Sequence, residues 1–161
     1  MLTFTLRKAI FKDLKKILHV QQLAFLSEAQ SLGDFSISPL TQTLESVAED
    51  FLQNEIIVAI DASGKVIGSI RGKRKEEGTL ISRLSVAPKC QKNGIGKSLI
   101  VAMEELLPSW RYYLFTSSKN YPALELYNKL GYKKYKQEDY SPTILFYHLE
   151  KINTIVPENE G

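Results

Sequence analysis

Three short strand-forming segments joined by tight turns occupy the middle of the chain, and they constrain the fold more than any other feature. Residues 55–60, 65–71 and 79–86 are rich in isoleucine, valine and other strand-forming residues. The turns between them contain Asp-Ala-Ser-Gly at 61–64 and Glu-Glu-Gly at 76–78, which are typical turn residues. Because short connections join neighbouring strands, we predict a three-stranded meander.

Helical patterns lie on both sides of this meander. A helix is predicted from Asp13 to Gly33, and a second begins at Ser38-Pro39 and presents Leu40, Leu44, Val47 and Phe51 on one apolar face. Residues 95–107 and 122–130 are predicted to form two more helices, the last ending at Gly131, and residues 2–6, 111–115, 132–137 and 143–149 are predicted strands. The resulting order, β-α-α-β-β-β-α-β-α-β-β, predicts a single mixed α/β domain.

Length and composition exclude several classes of protein. The 161 residues fit one domain, which we expect at 1–152, with a polar tail at 153–161. One cysteine, Cys90, excludes an internal disulfide, and with two distant histidines it gives no zinc-binding pattern, so no metal is expected. No apolar run approaches the length of a membrane span, and a net charge of +3 is small for a nucleic-acid-binding protein. We expect a cytoplasmic protein that binds neither membrane nor nucleic acid.

A strand, a glycine-containing loop and a helix follow one another at residues 84–97. Backbone amides at such a helix start converge on one point, and the helix dipole favours an anion there. No acidic residue occurs from 78 to 103, whereas Arg83, Lys89, Lys92 and Lys97 carry positive charge that we expect around this helix start. The alternative is that the lysines belong to a solvated turn.

Three phosphate-binding patterns compete for this loop. A P-loop, which would indicate a nucleotide hydrolase, needs glycine at position 91, where the chain has Gln91. A dinucleotide fingerprint needs a small residue at Leu99. The pattern Q/R-x-x-G-x-G/A is satisfied in full by Gln91, Gly94 and Gly96.

With this loop, the chain resembles the GNAT superfamily of acyl-CoA-dependent N-acyltransferases over roughly residues 2–150. A second segment, Asn-Tyr-Pro-Ala-Leu-Glu-Leu-Tyr-Asn-Lys-Leu-Gly-Tyr at 120–132, is similar to the family signature N-x-x-A-x-x-L-Y-x-x-x-G-[FY]. The resemblance implies a mostly antiparallel central sheet flanked by helices. It also implies transfer of acetyl from acetyl-CoA to a primary amine by direct attack in a ternary complex.

The resemblance also assigns roles to individual residues. The backbone amide of Val86 would stabilise the thioester oxygen, and Tyr127 would act as the general acid for the departing thiolate. Asn120 and Tyr127 would contact the cofactor arm, although Asn120 could simply cap its helix and Tyr127 could be a packed aromatic. The complete set of residues implied to bind coenzyme A is Leu84, Val86, Gln91, Lys92, Asn93, Gly94, Ile95, Gly96, Lys97, Asn120 and Tyr127.

The chain departs from the family pattern at the general base. Many members carry a glutamate on the strand before the loop, but residues 79–86 contain no carboxylate. Glu28, Asp34 and Glu45, in the segment expected to cover the acceptor site, are candidate bases or ligands of an ammonium group. Proton loss through solvent is an equal alternative, so the base stays unassigned.

The sequence does not determine the acceptor or the oligomeric state. A small-molecule or peptidyl amine fits equally well, and the strand at 143–149 could serve as the edge of a homodimer. The alternative to an enzyme is a non-catalytic acyl-CoA-binding or sensing module of the same fold.

Overall fold

A computed structural model describes residues 2–154, which form one seven-stranded sheet with helices on both faces. Residues 155–161 of the predicted tail lie outside the described residues. Short 3-10 helices occur at Phe11–Asp13 and Pro88–Cys90. The strands are β1 (Phe4–Lys8), β2 (Glu55–Asp61), β3 (Val66–Lys75), β4 (Gly78–Val86), β5 (Arg111–Ser117), β6 (Lys133–Ser141) and β7 (Ile144–Ile152). The helices are α1 (Leu14–Leu32), α2 (Ser38–Thr41), α3 (Leu44–Gln53), α4 (Ile95–Leu106) and α5 (Tyr121–Lys129).

The sheet has the order β1-β2-β3-β4-β5-β7-β6, and every neighbouring pair is antiparallel except β4–β5. This confirms the predicted mixed, mostly antiparallel α/β fold. The parallel β4–β5 ladder contains two residue pairs, Thr79 with Tyr112 and Leu80 with Tyr113. Beyond them the two strands separate, and we call the gap between residues 81–86 of β4 and 114–117 of β5 the wedge.

Two apolar clusters cover the two faces of the sheet. On one face α4 and α5 pack against the strands, with Leu99 and Met103 fully buried. On the other face α1 and α3 pack against β2, with Ile17 and Val47 fully buried. We call these the α4 face and the α1 face.

A buried polar network fixes the helices of the α1 face. Arg71 on β3 donates to Gln21 of α1 over 2.8 Å, and its Nε lies 3.3 Å from Asp50 Oδ2 of α3. Gln42, between α2 and α3, donates to the same Asp50 oxygen over 2.8 Å and accepts from Gln21 over 2.9 Å. Burial is the main reason why the pKa of Arg71 falls to about 10, so at neutral pH it is still a buried cation held by this network.

The single second helix predicted from Ser38-Pro39 is wrong, because the structure contains two helices there. Gln42 is extended, with ψ of 136°, and the hydroxyl of Thr43 accepts the Ser46 amide over 3.1 Å to cap α3. The break places the Gln42 side chain in the polar network described above. Sequence periodicity alone could not show it, since the apolar spacing continues across the break.

The expected role of Asp13 at the start of α1 also differs. Its carboxylate accepts the amide of Ile10 over 2.8 Å and two hydrogen bonds from Arg7, so it stabilises the turn before α1 and its side chain does not cap α1. The Arg7 hydrogen bond is the largest cause of the lowered pKa of Asp13.

The start of β4 tolerates no side chain at Gly78. Its φ is +126°, and a Cβ there would lie 2.3 Å from the carbonyl oxygen of Arg111 on β5. We expect Gly78→Ala to lower the free energy of unfolding by about 2 kcal/mol more than Gly64→Ala does, because of strain plus overlap with backbone. Gly64 is the matched control, since it also has positive φ but open space around it. Urea unfolding measures both, and equal losses would contradict the close packing of β4 on β5.

Candidate functional site

The β4 edge of the wedge presents unpaired backbone groups. The amide of Ala87 donates to Ile67 of β3 over 2.9 Å. Because backbone groups alternate along a strand, the amides of Leu84 and Val86 point the other way, into the wedge. The carbonyl of Val86 accepts from the side chain of Gln91 over 3.4 Å. An extended ligand could therefore hydrogen-bond here as an added strand would.

Helix α4 begins directly beside this edge, and neighbouring side chains leave little room for a Cβ at position 96. A Cβ at Gly96 would lie 3.1 Å from Leu126 of α5 and 3.8 Å from Leu84 of β4. The loop reaches this position through left-handed residues at Lys92 and Gly94, with φ of 65° and 80°. The conformation brings β4, α4 and α5 together at one point.

The start of α4 has the features of an anion site. The side chain of Asn93 donates to the carbonyls of Cys90 and Gln91 over 3.0 and 3.1 Å, which turns these oxygens towards Asn93. No described side chain caps the helix, so the amides of its first turn are free to bind a ligand. The structure thus brings together the predicted residues 91–97, with Lys89, Lys92 and Lys97 exposed around them.

One of the four expected positive charges does not lie at this helix start. The guanidinium of Arg83 donates to the hydroxyl of Ser38 in α2 over 2.8 Å, which places it on the α1 face. The expectation failed because β4 contains a bulge at this point, and a bulge changes the face to which a side chain points.

Tyr127 lies on the inner face of α5 with 7% of its surface exposed. Its ring packs on Tyr132 with centroids 5.9 Å apart, and the hydroxyl of Tyr132 donates to Glu104 over 2.6 Å. The hydroxyl of Tyr127 itself makes no hydrogen bond to any residue within 2–154. Asn120 caps α5 by accepting the amide of Ala123 over 3.3 Å, which leaves its NH₂ group available.

Of the three carboxylates expected near the acceptor, Glu28 of α1 is the one whose charge acts on Tyr127. It is half-buried and has no ion-pair partner among the described residues. Burial raises the pKa of Glu28. Burial is also the main cause of the raised pKa of Tyr127, and the charge of Glu28 adds to it. The carboxylate and the phenol therefore lie within electrostatic reach of each other, and the phenol stays protonated at neutral pH.

The other two carboxylates do not join this pair. Asp34 accepts the amide of Ser36 over 2.8 Å and the hydroxyl of Tyr140 over 2.5 Å, so it connects the loop after α1 to β6. The hydroxyl of Ser36 also donates to Asp34, and this hydrogen bond is the largest cause of the lowered pKa of Asp34. Glu45 is exposed in the first turn of α3.

The cysteine and the two histidines differ in their surroundings. Cys90 is half-buried and packs against the cluster on the α4 face. His148 forms a 2.6 Å contact with Glu138, while His19 is exposed on α1. Within residues 2–154 no group of three or more potential metal ligands comes together.

A family model described as the acetyltransferase (GNAT) family matches residues 16–132. The match covers most of the chain, and the chain therefore belongs to the acetyltransferase (GNAT) family. A curated relative, UPF0157 protein YqkA of Bacillus subtilis, is 26% identical over 121 residues, or 74% of this chain. The chain spans about a third of the length of that relative, since the match covers 34% of it.

Solved structures share the fold. The PaiA N-acetyltransferase of Thermoplasma acidophilum in complex with coenzyme A superimposes with a TM-score of 0.77 and 19% identity, covering 94% of this chain and 99% of that one. The ribosomal-protein-S18-alanine N-acetyltransferase of Escherichia coli gives 0.78 and 17%, covering 99% of both chains. A phosphinothricin acetyltransferase of Sinorhizobium meliloti in complex with AcCoA gives 0.76 and 19%, covering 99% of this chain and 95% of that one. These structures confirm the GNAT fold.

None of the helices within residues 2–154 combines the length and the apolar character needed to cross a membrane.

The burial of Glu28 has a consequence for stability. Because folding raises its pKa, the free energy of unfolding falls as the pH rises above the usual carboxyl range. We expect Glu28→Gln to unfold at a higher temperature than the wild type at pH 8, and the gain to vanish near pH 4. The exposed Glu45→Gln is the control, with no gain at either pH. A loss of stability in Glu28→Gln at pH 8 would contradict the unfavourable, half-buried position of this carboxylate.

Proposed function

We propose that this protein is an acyl-CoA-dependent N-acetyltransferase that transfers acetyl from acetyl-CoA to a primary amine within a ternary complex. The observation that carries the proposal is the continuity between the wedge and the uncapped start of α4. An open strand edge that leads directly to an anion site suits a ligand with an extended polar arm and a pyrophosphate group. In this proposal residues 1–152 form the catalytic domain.

The residues around the wedge fit coenzyme A. We assign the pantetheine arm to the backbone of Leu84 and Val86 and to the NH₂ group of Asn120, and the pyrophosphate to Gln91, Lys92, Asn93, Gly94, Ile95, Gly96 and Lys97. The fit rests on the unpaired β4 edge, the uncapped helix and the close approach of α4 to β4 and α5 at Gly96. The coenzyme A and AcCoA complexes named among the structural neighbours support the assignment.

Three groups of the chain would divide the chemistry of acyl transfer. Glu28 accepts a proton from the ammonium group of the acceptor, so that the neutral amine forms the new C–N bond. The amide of Val86 donates to the thioester oxygen as negative charge develops there. When the C–S bond breaks, Tyr127 donates its proton to the departing thiolate sulfur; burial keeps the phenol protonated at neutral pH, so this proton is present when the bond breaks. The attacking nitrogen loses a second proton as the amide forms, and this proton, passed directly or through solvent, restores Tyr127.

The polar groups of Glu28 and Tyr127 take part in no structural hydrogen bond among the described residues, although the Tyr127 ring packs within the apolar cluster on the α4 face. The Glu28 carboxylate and the Tyr127 hydroxyl have no hydrogen-bond partner in residues 2–154; Glu28 is half-buried and Tyr127 is buried. Titratable groups whose pKa is shifted by burial, as for both residues, or by a neighbouring charge, as for Tyr127, are concentrated at functional sites. This favours an enzyme over a module that only binds acyl-CoA.

The comparisons do not narrow the class of acceptor amine. One structural neighbour is named for alanine of ribosomal protein S18 and another for phosphinothricin, so both peptidyl and small-molecule amines are compatible with the proposal. The cytoplasmic location and the homodimer stay predictions from the sequence.

The general-acid role predicts a specific defect in Tyr127→Phe. We expect turnover, measured as free-thiol release from acetyl-CoA across a panel of primary amines, to fall about 100-fold. Stabilisation of the protein by coenzyme A should be unchanged, because the ring still packs on Tyr132. ATP serves as the control ligand and should give no stabilisation. Unchanged turnover in Tyr127→Phe would remove the acid role, and coenzyme A binding without turnover on any amine would favour a sensing module.

The base role of Glu28 predicts a pH-dependent defect. Glu28→Gln should lower kcat near pH 7, where a free amine is protonated, and the defect should shrink as the pH approaches the pKa of the amine. The dissociation constant for coenzyme A should not change. Glu45→Gln is the matched control and should keep wild-type kcat. A defect of constant size across the pH range would show that Glu28 acts in another way.

A further inference from the structure

Arg83 occupies a strained position at the β4 edge. The β3–β4 register passes from Arg71 opposite Ser82 to Ser69 opposite Ser85, so two β4 residues face the single residue Ile70. Arg83 adopts φ of +54° within this bulge, a conformation that disfavours any residue with a side chain. The bulge sends the Arg83 side chain to the α1 face, while Leu84 stays packed against the α4 face.

The charges around Arg83 do not balance. Asp50 lies nearby, but it already binds Arg71 at 3.3 Å and Gln42 at 2.8 Å. Arg83 has one hydrogen bond, to the neutral hydroxyl of Ser38, and no carboxylate within residues 2–154 comes within ion-pair distance of it. Arg71 and Arg83 thus both lie near Asp50, but only Arg71 forms an ion pair with it. Burial is the largest cause of the lowered pKa of Arg83. A half-buried cation in this state is stabilised by an added anion.

We propose that Arg83 recognises a carboxylate of the acceptor, so that the substrate is a small primary amine that also carries a carboxylate group. Arg83 directly precedes Leu84 and lies three residues before Val86, at the edge where the proposed function locates the thioester. An acceptor that pairs its carboxylate with Arg83 would hold its amine beside that edge. The guanidinium fork suits a carboxylate because both are planar and can form two parallel hydrogen bonds.

The inference rests on the proposed function, and it differs from a purely structural role of Arg83. If Arg83 only fastened α2 to β4 through Ser38, its loss would affect all acceptors alike. If it binds the substrate carboxylate, its loss affects only acceptors that have one. Paired acceptors, each amino acid with its own amide, separate the two roles.

The test compares kcat/KM for such pairs in the wild type and in Arg83→Gln. We expect the wild type to prefer the carboxylate member of at least one pair by about 10- to 100-fold, as for a hydrogen-bonded charged group. Arg83→Gln should abolish this preference through a rise in KM, and Arg83→Lys should keep part of it. Arg74→Gln is the control, since Arg74 binds the carbonyl of Pro108 away from this site, and it should behave as the wild type.

A binding measurement keeps the inference testable without turnover. We expect N-acetylated amino acids to bind the coenzyme A-loaded protein in calorimetry, their amides to bind at least about 10-fold more weakly, and Arg83→Gln to bind both weakly. Equal binding of acid and amide, unchanged binding by Arg83→Gln, or no binding of any acid would overturn the inference. Loss of coenzyme A binding by the wild type would instead overturn the proposed function, so the two failures are distinguishable.

Discussion

The short parallel ladder between β4 and β5 is the constraint on which the rest of the structure depends. It is held closed at one end, where Arg111 donates to the carbonyl of Glu77 over 3.0 Å and forms an ion pair with Glu150 at 2.7 Å. Thr79 adds a hydrogen bond to the carbonyl of Leu107 over 3.1 Å. Because the strands are fixed there and separate after two residue pairs, the sheet opens towards the start of α4. The open edge, the uncapped start of α4 and Tyr127 share one location as a result.

Sequence patterns were sufficient for the features that depend on local chemistry. The meander, the glycine-bearing loop and the end of α5 at Gly131 follow from turn residues and periodicity, and the structure has them close to the expected positions. The family was also evident, because two separate motifs occur in the right order. Each of these signals extends over a few neighbouring residues, so no knowledge of the tertiary structure is needed to read it.

The remaining features depend on contacts between distant segments. The break between α2 and α3 is stabilised by Gln42, which reaches Gln21 and Asp50, and no local pattern shows such a link. The bulge at Arg83 reversed the face expected for its charge. The proximity of Glu28 to Tyr127 joins residues that lie 99 positions apart in the sequence. These tertiary contacts lie on the proposed acceptor side, which explains why sequence reasoning located the proposed cofactor site more completely than the proposed acceptor site.

The alternation of backbone groups along β4 also has a consequence for amide hydrogen exchange. Ala87 donates within the β3 ladder, whereas the amides of Leu84 and Val86 open into the wedge. Protected and unprotected amides therefore alternate along the end of one strand, which is unusual for a strand inside a sheet. A ligand that pairs with the open edge would protect these two amides and leave their neighbours unchanged. Amide exchange at Leu84 and Val86 therefore shows whether a ligand fills the wedge, even when no reaction takes place.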